Sequence, residues 1–304
     1  PEAVRAAVAE AVARKLAAQP IEDLRIDFED GYGGCAEEED GHALAAADAV
    51  AELGGAVDAP SFAGIRFACL EADVRARGLR TLELFLHRLA QHGPLPVGLR
   101  LTLPKVSDPA QVDAMVLICE RLEDALGLAA GALRFEVQVE LPQLIVGPDG
   151  TIPVARAVRH GRGRVSALHY GTYDYSAALG IAAEQQSLSH PGADFAKQAM
   201  QAAVVGTGVA LSDGSTNIVP VGSIDDRLRA WRIHADLVRR SLERGFRQGW
   251  DMHPAHLVTR YIAVFAFYRQ AMPAALQRIG AYLDASASIG VMDEPATARA
   301  LART

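Results

Sequence analysis

The sequence predicts an α/β protein folded as a TIM (β/α)8 barrel with a C-terminal helical extension. Three observations carry this expectation. Short apolar runs of β type alternate with helical patterns along the chain, as in repeated βα units that build a parallel sheet. The runs end in polar residues, Asp30, Arg66, Lys105, Glu140, Asp174, Asp213 and Asp251, at intervals of about 34 to 39 residues, roughly one βα unit each. Evenly spaced polar strand ends suit a barrel, whose strands converge on one centre, better than a doubly wound sheet.

Residues 2–18 are Ala-rich with scattered charges and read as helix. Leu24 to Asp30 alternates with period two and then meets the turn residues Gly31-Tyr32-Gly33-Gly34. The acidic stretch Glu37 to Asp40 opens an Ala-rich helix that ends near Gly54-Gly55, a placement that suits the positive end of a helix dipole. Further strands are expected at 64–67, 97–105, 132–140, 164–170, 207–211 and 246–251. Helices fill the gaps at 73–91, 108–126, 153–160, 194–205 and 226–244. That makes seven strands. The eighth either precedes residue 1 or comes from a second strand in 207–222. Residues 254–283 read as closing helices, with Tyr261, Phe265, Phe267 and Tyr268 as core packing. One domain is expected over 1–304, with the barrel at about 20–256 and C-terminal helices at about 257–304.

The chain has 304 residues, half of them hydrophobic, and a net charge of −7. No basic run marks a nucleic-acid surface. No stretch is long and apolar enough to span a membrane. Cys35, Cys69 and Cys119 are odd in number and far apart, so neither a disulfide framework nor a Cys-x-x-Cys metal pattern forms. Reduced thiols in a cytoplasmic protein are the expectation.

Glu140 and Asp174 are the leading candidate site residues. Each closes a β-type run, and a carboxylate just past a buried strand points at the mouth of a barrel. Two such groups make an oxygen-rich site for a hard cation such as Mg²⁺. Each could instead cap the helix that follows. The Gly171-Thr172-Tyr173 loop offers backbone N–H groups to an anion. Arg66 supplies a planar fork for a carboxylate or enolate oxygen, or else a structural ion pair. Asp27, Glu29 and Asp30 crowd one strand, Asp27 and Glu29 on one face and Asp30 on the other unless the strand ends before Asp30, and they repel one another unless a cation or hydrogen bonds compensate. Lys105 is read as an ion-pairing residue or a Schiff-base lysine, the former favoured. His169, His190 and His253 lie near the mouth. No Gly-x-Ser-x-Gly, Walker or dinucleotide-binding glycine pattern is present.

In order along the chain, these motifs resemble the citrate lyase β-subunit-like branch of the HpcH/HpaI aldolase family, in the phosphoenolpyruvate/pyruvate barrel superfamily. Asp27-Phe28-Glu29-Asp30 looks like the family's Asp-Leu-Glu-Asp strand. Ile65-Arg66-Phe67-Ala68 is similar to Val-Arg-Ile-Asn, with Ala for Asn. Leu103-Pro104-Lys105 matches Leu-Pro-Lys, and Val139-Glu140-Leu141 resembles Ile-Glu-Thr without the Thr. Tyr170-Gly171-Thr172-Tyr173-Asp174 through Gly180 matches Phe-Gly-x-x-Asp-(x)4-Gly. Gln248 through Pro254 looks like Lys-x-x-Ile-His-Pro with Gln for Lys. The series spans about residues 24–257, a divergent version of the pattern.

The resemblance implies that Glu140 and Asp174 bind Mg²⁺ (or Mn²⁺) directly and that Glu29 and Asp30 hold metal-bound waters. It implies that Arg66 contacts the substrate's carbonyl or carboxylate, and that the protein forms homotrimers or homohexamers. The expected activity is carbon–carbon cleavage or formation on a 2-oxo acid or its acyl-CoA adduct through a Mg²⁺-stabilised enolate. Arg66, Glu29 and Asp30 are the expected catalytic residues. Arg66, Lys105, Gly171, Thr172 and Tyr173 are the expected substrate contacts. Two alternatives stay open: a phosphoenolpyruvate-using phosphoryl-transfer enzyme, and a non-catalytic metabolite-binding barrel.

Overall fold

The computed structural model describes residues 2–54, 58–284 and 293–302. Gly55, at the expected end of the second helix, and parts of the expected 257–304 extension lie outside the described residues. The described chain divides into two compact units, one formed by Gln19–Asn217 with Phe246–Met252, the other by the N-terminal helix with 218–245 and the chain from His253 onward.

The first unit holds seven strands, all parallel and in sequential order: β1 (Asp23–Asp27), β2 (Phe62–Arg66), β3 (Leu99–Leu103), β4 (Phe135–Val139), β5 (Val165–Tyr170), β6 (Ala210–Asp213) and β7 (Gln248–Gly249). The Gln248 amide in β7 donates to Asp23 in β1 over 2.9 Å, so the sheet curls until its two edge strands meet through side chains. This is the TIM-barrel sheet that the strand spacing predicts, with seven staves among the described residues. Region 207–222 supplies one of them, β6, and not two.

The crossovers are α2 (Ala36–Leu53), α3 (Arg75–Gln91), α4 (Pro109–Leu126), α5 (Pro153–His160) and α7 (Pro191–Val204). Local chemistry sets their ends. Asp108 caps α4 in a reciprocal capping box with Gln111, Pro109 occupies the first turn, and Gly127 ends the helix at φ 64°. The apolar faces of these helices cover the outer face of the sheet, whose Ile65, Leu101, Val137 and Leu168 are fully buried. β4 shows the period-two logic. All five of its residues are buried, yet Glu136 and Gln138 alternate with Phe135, Val137 and Val139, so one face of the strand is polar. Parallel strands covered on both faces usually read as apolar runs, and this departure marks an interior with polar work to do.

The sequence reading extends β1 to Asp30, but the strand ends at Asp27. The Asp27 carboxylate accepts from the backbone N–H of Glu29 (3.1 Å) and of Gly31 (2.8 Å). A side chain that captures the backbone donors ahead of it turns the chain out of the sheet.

The second unit packs α1 (Glu2–Ala18) and α8 (Ile224–Glu243) against the long α9 (His256–Leu283). Val8 and Val12 meet Tyr261 and Phe265, and Val238 and Leu242 meet Ala263, Phe267 and Tyr268. Of the four aromatic residues expected as core packing here, Tyr261 is buried, and Phe265, Phe267 and Tyr268 pack against the core partly exposed. A short α10 (Pro295–Leu301) follows. No helix among the described residues is long and apolar enough to cross a membrane.

Candidate metal centre

The polar strand ends of β1 to β5 converge on one patch of the barrel rim. Glu140 sits one residue past β4, with 1% of its surface exposed. The Lys105 backbone N–H donates to its Oε1 at 2.7 Å, and the Gln138 amide donates to its Oε2 at 2.5 Å. Lys105 can present that N–H because its φ is +49°, a left-handed conformation uncommon for a residue with a side chain. A Cβ at Gly171 would collide with the Glu140 side chain, so only glycine fits there.

Asp174 reaches the same patch from a short helix, α6 (Thr172–Ala178), in whose first turn it lies. The sequence reads 171–173 as a loop, whereas the helix begins at Thr172. Gly171 N–H bonds to Val139 O in β4, the Thr172 hydroxyl donates to Ser215 O, and the Tyr173 hydroxyl accepts from the Asn217 backbone. One carboxylate oxygen from each of Asp30, Glu140 and Asp174 falls within 4.8 Å of the others. That spacing and an all-oxygen donor set suit a hard divalent cation.

Two cations border the cluster. The Lys105 ammonium lies 2.5 Å from Glu29, 2.7 Å from Asp30 and 3.4 Å from Asp174. The Arg66 guanidinium is held bidentately by Asp27, at 2.7 and 2.5 Å, and donates to Gln138 Oε1 at 3.1 Å. Glu29 stands 3.7 Å from its Nη1. Burial and the adjacent charges of Asp174 and Glu29 push the Glu140 carboxyl up to about 8, against the pull of Lys105. Burial likewise raises Glu29. Burial opposes ionisation of Asp30, but its hydrogen bonds with Lys105 and Glu29 and the charges of Lys105 and Arg66 together outweigh that and leave it below the usual range. The rim thus carries more carboxylate than its own cations balance.

Below the rim lies a second polar group. Glu136 Oε2 is 2.6 Å from Arg25 Nη2 and 3.0 Å from His169 Nε2, and its Oε1 is 3.4 Å from Arg100. Despite full burial, His169 and Arg25 hold the Glu136 carboxyl down at about 2. Trp250, just past β7, donates its indole N–H to His169 Nδ1 at 2.7 Å.

Of the residues singled out in the sequence, Glu29, Asp30, Arg66, Lys105, Glu140, Gly171 and Asp174 come together at this rim. Asp213 is instead buried in an ion pair with Lys197 at 3.0 Å, and His190 caps α7. His169 lies inside the barrel and not at its mouth. Sequence reasoning missed Gln138, which bridges Arg66 and Glu140. Its signal was a polar residue two positions before a strand-end carboxylate, on the same face of β4.

The fold and rim define a TIM-type barrel with an acidic, cation-ready mouth. The chain belongs to the family described as a domain of unknown function, DUF6986, which matches residues 1–304. No curated protein matches it in sequence. Among solved structures it is similar to Haloferax volcanii malate synthase in a magnesium/glyoxylate complex, with a TM-score of 0.60 at 11% identity, covering 91% of this chain and 88% of that one. It is similar to the protein CitE from Mycobacterium tuberculosis with magnesium, acetoacetate and coenzyme A, with a TM-score of 0.57 at 16% identity over 97% and 92% of the two chains. The citrate lyase beta subunit from M. tuberculosis with oxaloacetate and magnesium matches at a TM-score of 0.52 and 15% identity, over 84% and 91%. At such identities the likeness is one of fold.

Proposed function

We propose that this protein is a metal-dependent carbon–carbon lyase or aldolase acting on 2-oxo acids or their acyl-CoA adducts. The observation that carries the reading is the rim cluster of Asp30, Glu140 and Asp174, three oxygen donors within 4.8 Å of one another and short of positive charge. The ligands of the fold neighbours, magnesium with glyoxylate, oxaloacetate, acetoacetate or coenzyme A, support the same class. Glu140 and Asp174 hold Mg²⁺, with Mn²⁺ the second candidate, and Asp30 and Glu29 border it. When bound, the ion supplies Lewis-acid polarisation of the substrate carbonyl.

The chain's own groups supply the rest. Arg66, held at its edges by Asp27 and Gln138, faces the carboxylate or carbonyl of the substrate and stabilises negative charge that develops there. The backbone at Gly171, Thr172 and Tyr173 lines the same anion. Lys105 turns its ammonium to the anionic end of the substrate. Glu29, whose carboxyl is raised by burial, takes the hydroxyl proton in the cleavage direction, directly or through a water bordered by Asp30. A cytoplasmic homotrimer or homohexamer is the form the motif resemblance implies, and light scattering reads the assembly.

The test is Mg²⁺-dependent thermal stabilisation by oxalate or pyruvate, followed by assay of pyruvate release from 4-hydroxy-2-oxo acids against cleavage of malyl- and citramalyl-CoA. Turnover of either substrate set supports the reading. Tight metal-dependent binding without turnover on any of them favours a metabolite-binding barrel instead.

A further inference from the structure

We infer that Trp250, keyed by His169, is a positioning residue for Arg66 and one wall of the anion site. The inference rests on the function proposed above. Neither the motif series nor the fold comparisons single out this pair.

The Arg66 guanidinium is fixed at its edges by Asp27 and Gln138, but edge contacts leave the plane free to tilt. The Trp250 ring lies against the guanidinium, with 5.5 Å between the guanidinium carbon and the ring centroid. An aromatic ring at that range attracts the cation and limits its tilt. The ring in turn has one polar handle, its N–H, and this donates to His169 Nδ1. An N–H can donate only to a ring nitrogen that carries no proton, so the His169 proton sits on Nε2. That nitrogen faces Glu136 Oε2 at 3.0 Å. That contact is one of charge and distance, without hydrogen-bond geometry, so the tautomer is fixed by the indole N–H at Nδ1 and the Nε2 proton is left facing the carboxylate.

The contacts run from the interior to the rim in the order Glu136, His169, Trp250, Arg66, and the hydrogen bond that sets the indole is the one to His169. Glu136 is itself anchored by Arg25, so the chain of contacts starts in the rigid interior of the barrel and ends at the substrate-facing guanidinium. His169 and Trp250 are packed edge to face, with 5.5 Å between ring centroids, which leaves the indole little room to rotate. Trp250 is only half-buried, so part of its ring stays available as a wall of the site.

The chain has two tryptophans, so Trp231→Phe gives a single-tryptophan parent that reports on Trp250 alone. Oxalate and Mg²⁺ are titrated separately into this parent by calorimetry and by Trp250 fluorescence. Trp250→Leu and His169→Leu should weaken Mg²⁺-dependent oxalate binding about fivefold, the size of one cation–ring contact. Mg²⁺ affinity measured alone should stay unchanged, because Asp30, Glu140 and Asp174 are untouched. General destabilisation would not produce that split. His169→Asn, whose amide oxygen falls near the site of Nδ1, should restore most of the oxalate affinity. Unchanged oxalate affinity in both leucine variants overturns the inference while leaving the proposed function standing. Absence of oxalate and Mg²⁺ binding by the parent overturns the proposed function and this inference with it. A second readout needs no ligand: the Trp250 indole N–H should exchange slowly with water in the parent and fast in His169→Leu. Fast exchange in the parent overturns the inference directly.

Discussion

Glu136 and Glu140 stand four residues apart on and just beyond one strand, both buried, and they are pushed in opposite directions. Glu136 is held down at about 2 and Glu140 is driven up to about 8. The difference lies in the company each keeps. Inside the barrel, Glu136 is met by Arg25, Arg100 and the Nε2 side of His169, so its charge is compensated on every side. At the rim, Glu140 shares its surroundings with Asp174, Asp30 and Glu29, and the nearby cations Lys105 and Arg66 are already committed to other carboxylates. Burial costs both groups the same kind of desolvation. One site returns that cost from within the chain, and the other leaves it to be met by an added cation. The interior layer is charge-compensated by the chain itself, and the rim is not.

The largest break in the comparison should come from the interior. Glu136→Ala removes the buried carboxylate that Arg25 and Arg100 share and leaves Arg25 with Asp23 alone, which should cost about 3 kcal/mol in urea unfolding. The Mg²⁺ response of whatever protein remains folded should be intact. A cost below about 1 kcal/mol would show that the interior layer is not the compensated network described here.

The pH dependence of stability should split the same way. The Glu136 pKa falls from 4.5 to about 2 on folding, so its contribution is fully present above pH 4.5 and lost as pH drops toward 2. The Glu140 pKa rises from 4.5 to about 8. Between those values the folded state binds the extra proton, so this group makes the metal-free protein less stable as pH rises from 4.5 through 8. Unfolding curves in EDTA across that range should show the decline, and Glu140→Gln should flatten it.

Metal linkage comes next in size. Mg²⁺ at about a hundred times its dissociation constant should stabilise the parent by about 2.7 kcal/mol. Glu140→Gln and Asp174→Asn should each abolish that gain in thermal scans. Retained stabilisation in Glu140→Gln would move the metal away from this rim. The smallest effect should come from Gly171→Ala, whose added methyl meets the Glu140 side chain. It should cost about 1–3 kcal/mol of stability and weaken Mg²⁺ binding by displacing that carboxylate.

The barrel was legible because its signals are local. Period-two runs such as Leu99 to Leu103, the capping box at Asp108 and Gln111, and polar residues at or within four positions of each strand's end can all be read within a few residues. The carboxylates and cations of the rim were legible for the same reason, since a parallel barrel brings successive strand ends together without further information. What stayed hidden depends on contacts between distant strands. The Asp27–Arg66 fork joins β1 to β2, Gln138 bridges Arg66 to Glu140, and the indole of Trp250 reaches His169 across the barrel interior. Nothing near Trp250 in the sequence announces an acceptor at His169. The end of β1 was misjudged because Asp27 reads as another alternating residue, while its side chain takes up the backbone donors ahead of it.

The most direct test of the central claim is anomalous diffraction from crystals soaked in Mn²⁺. The account predicts one strong peak about 2.2 Å from carboxylate oxygens of both Glu140 and Asp174, with Asp30 alongside. Mn²⁺ bound elsewhere, or a rim that stays closed by Lys105 with no peak at saturating metal, would contradict it.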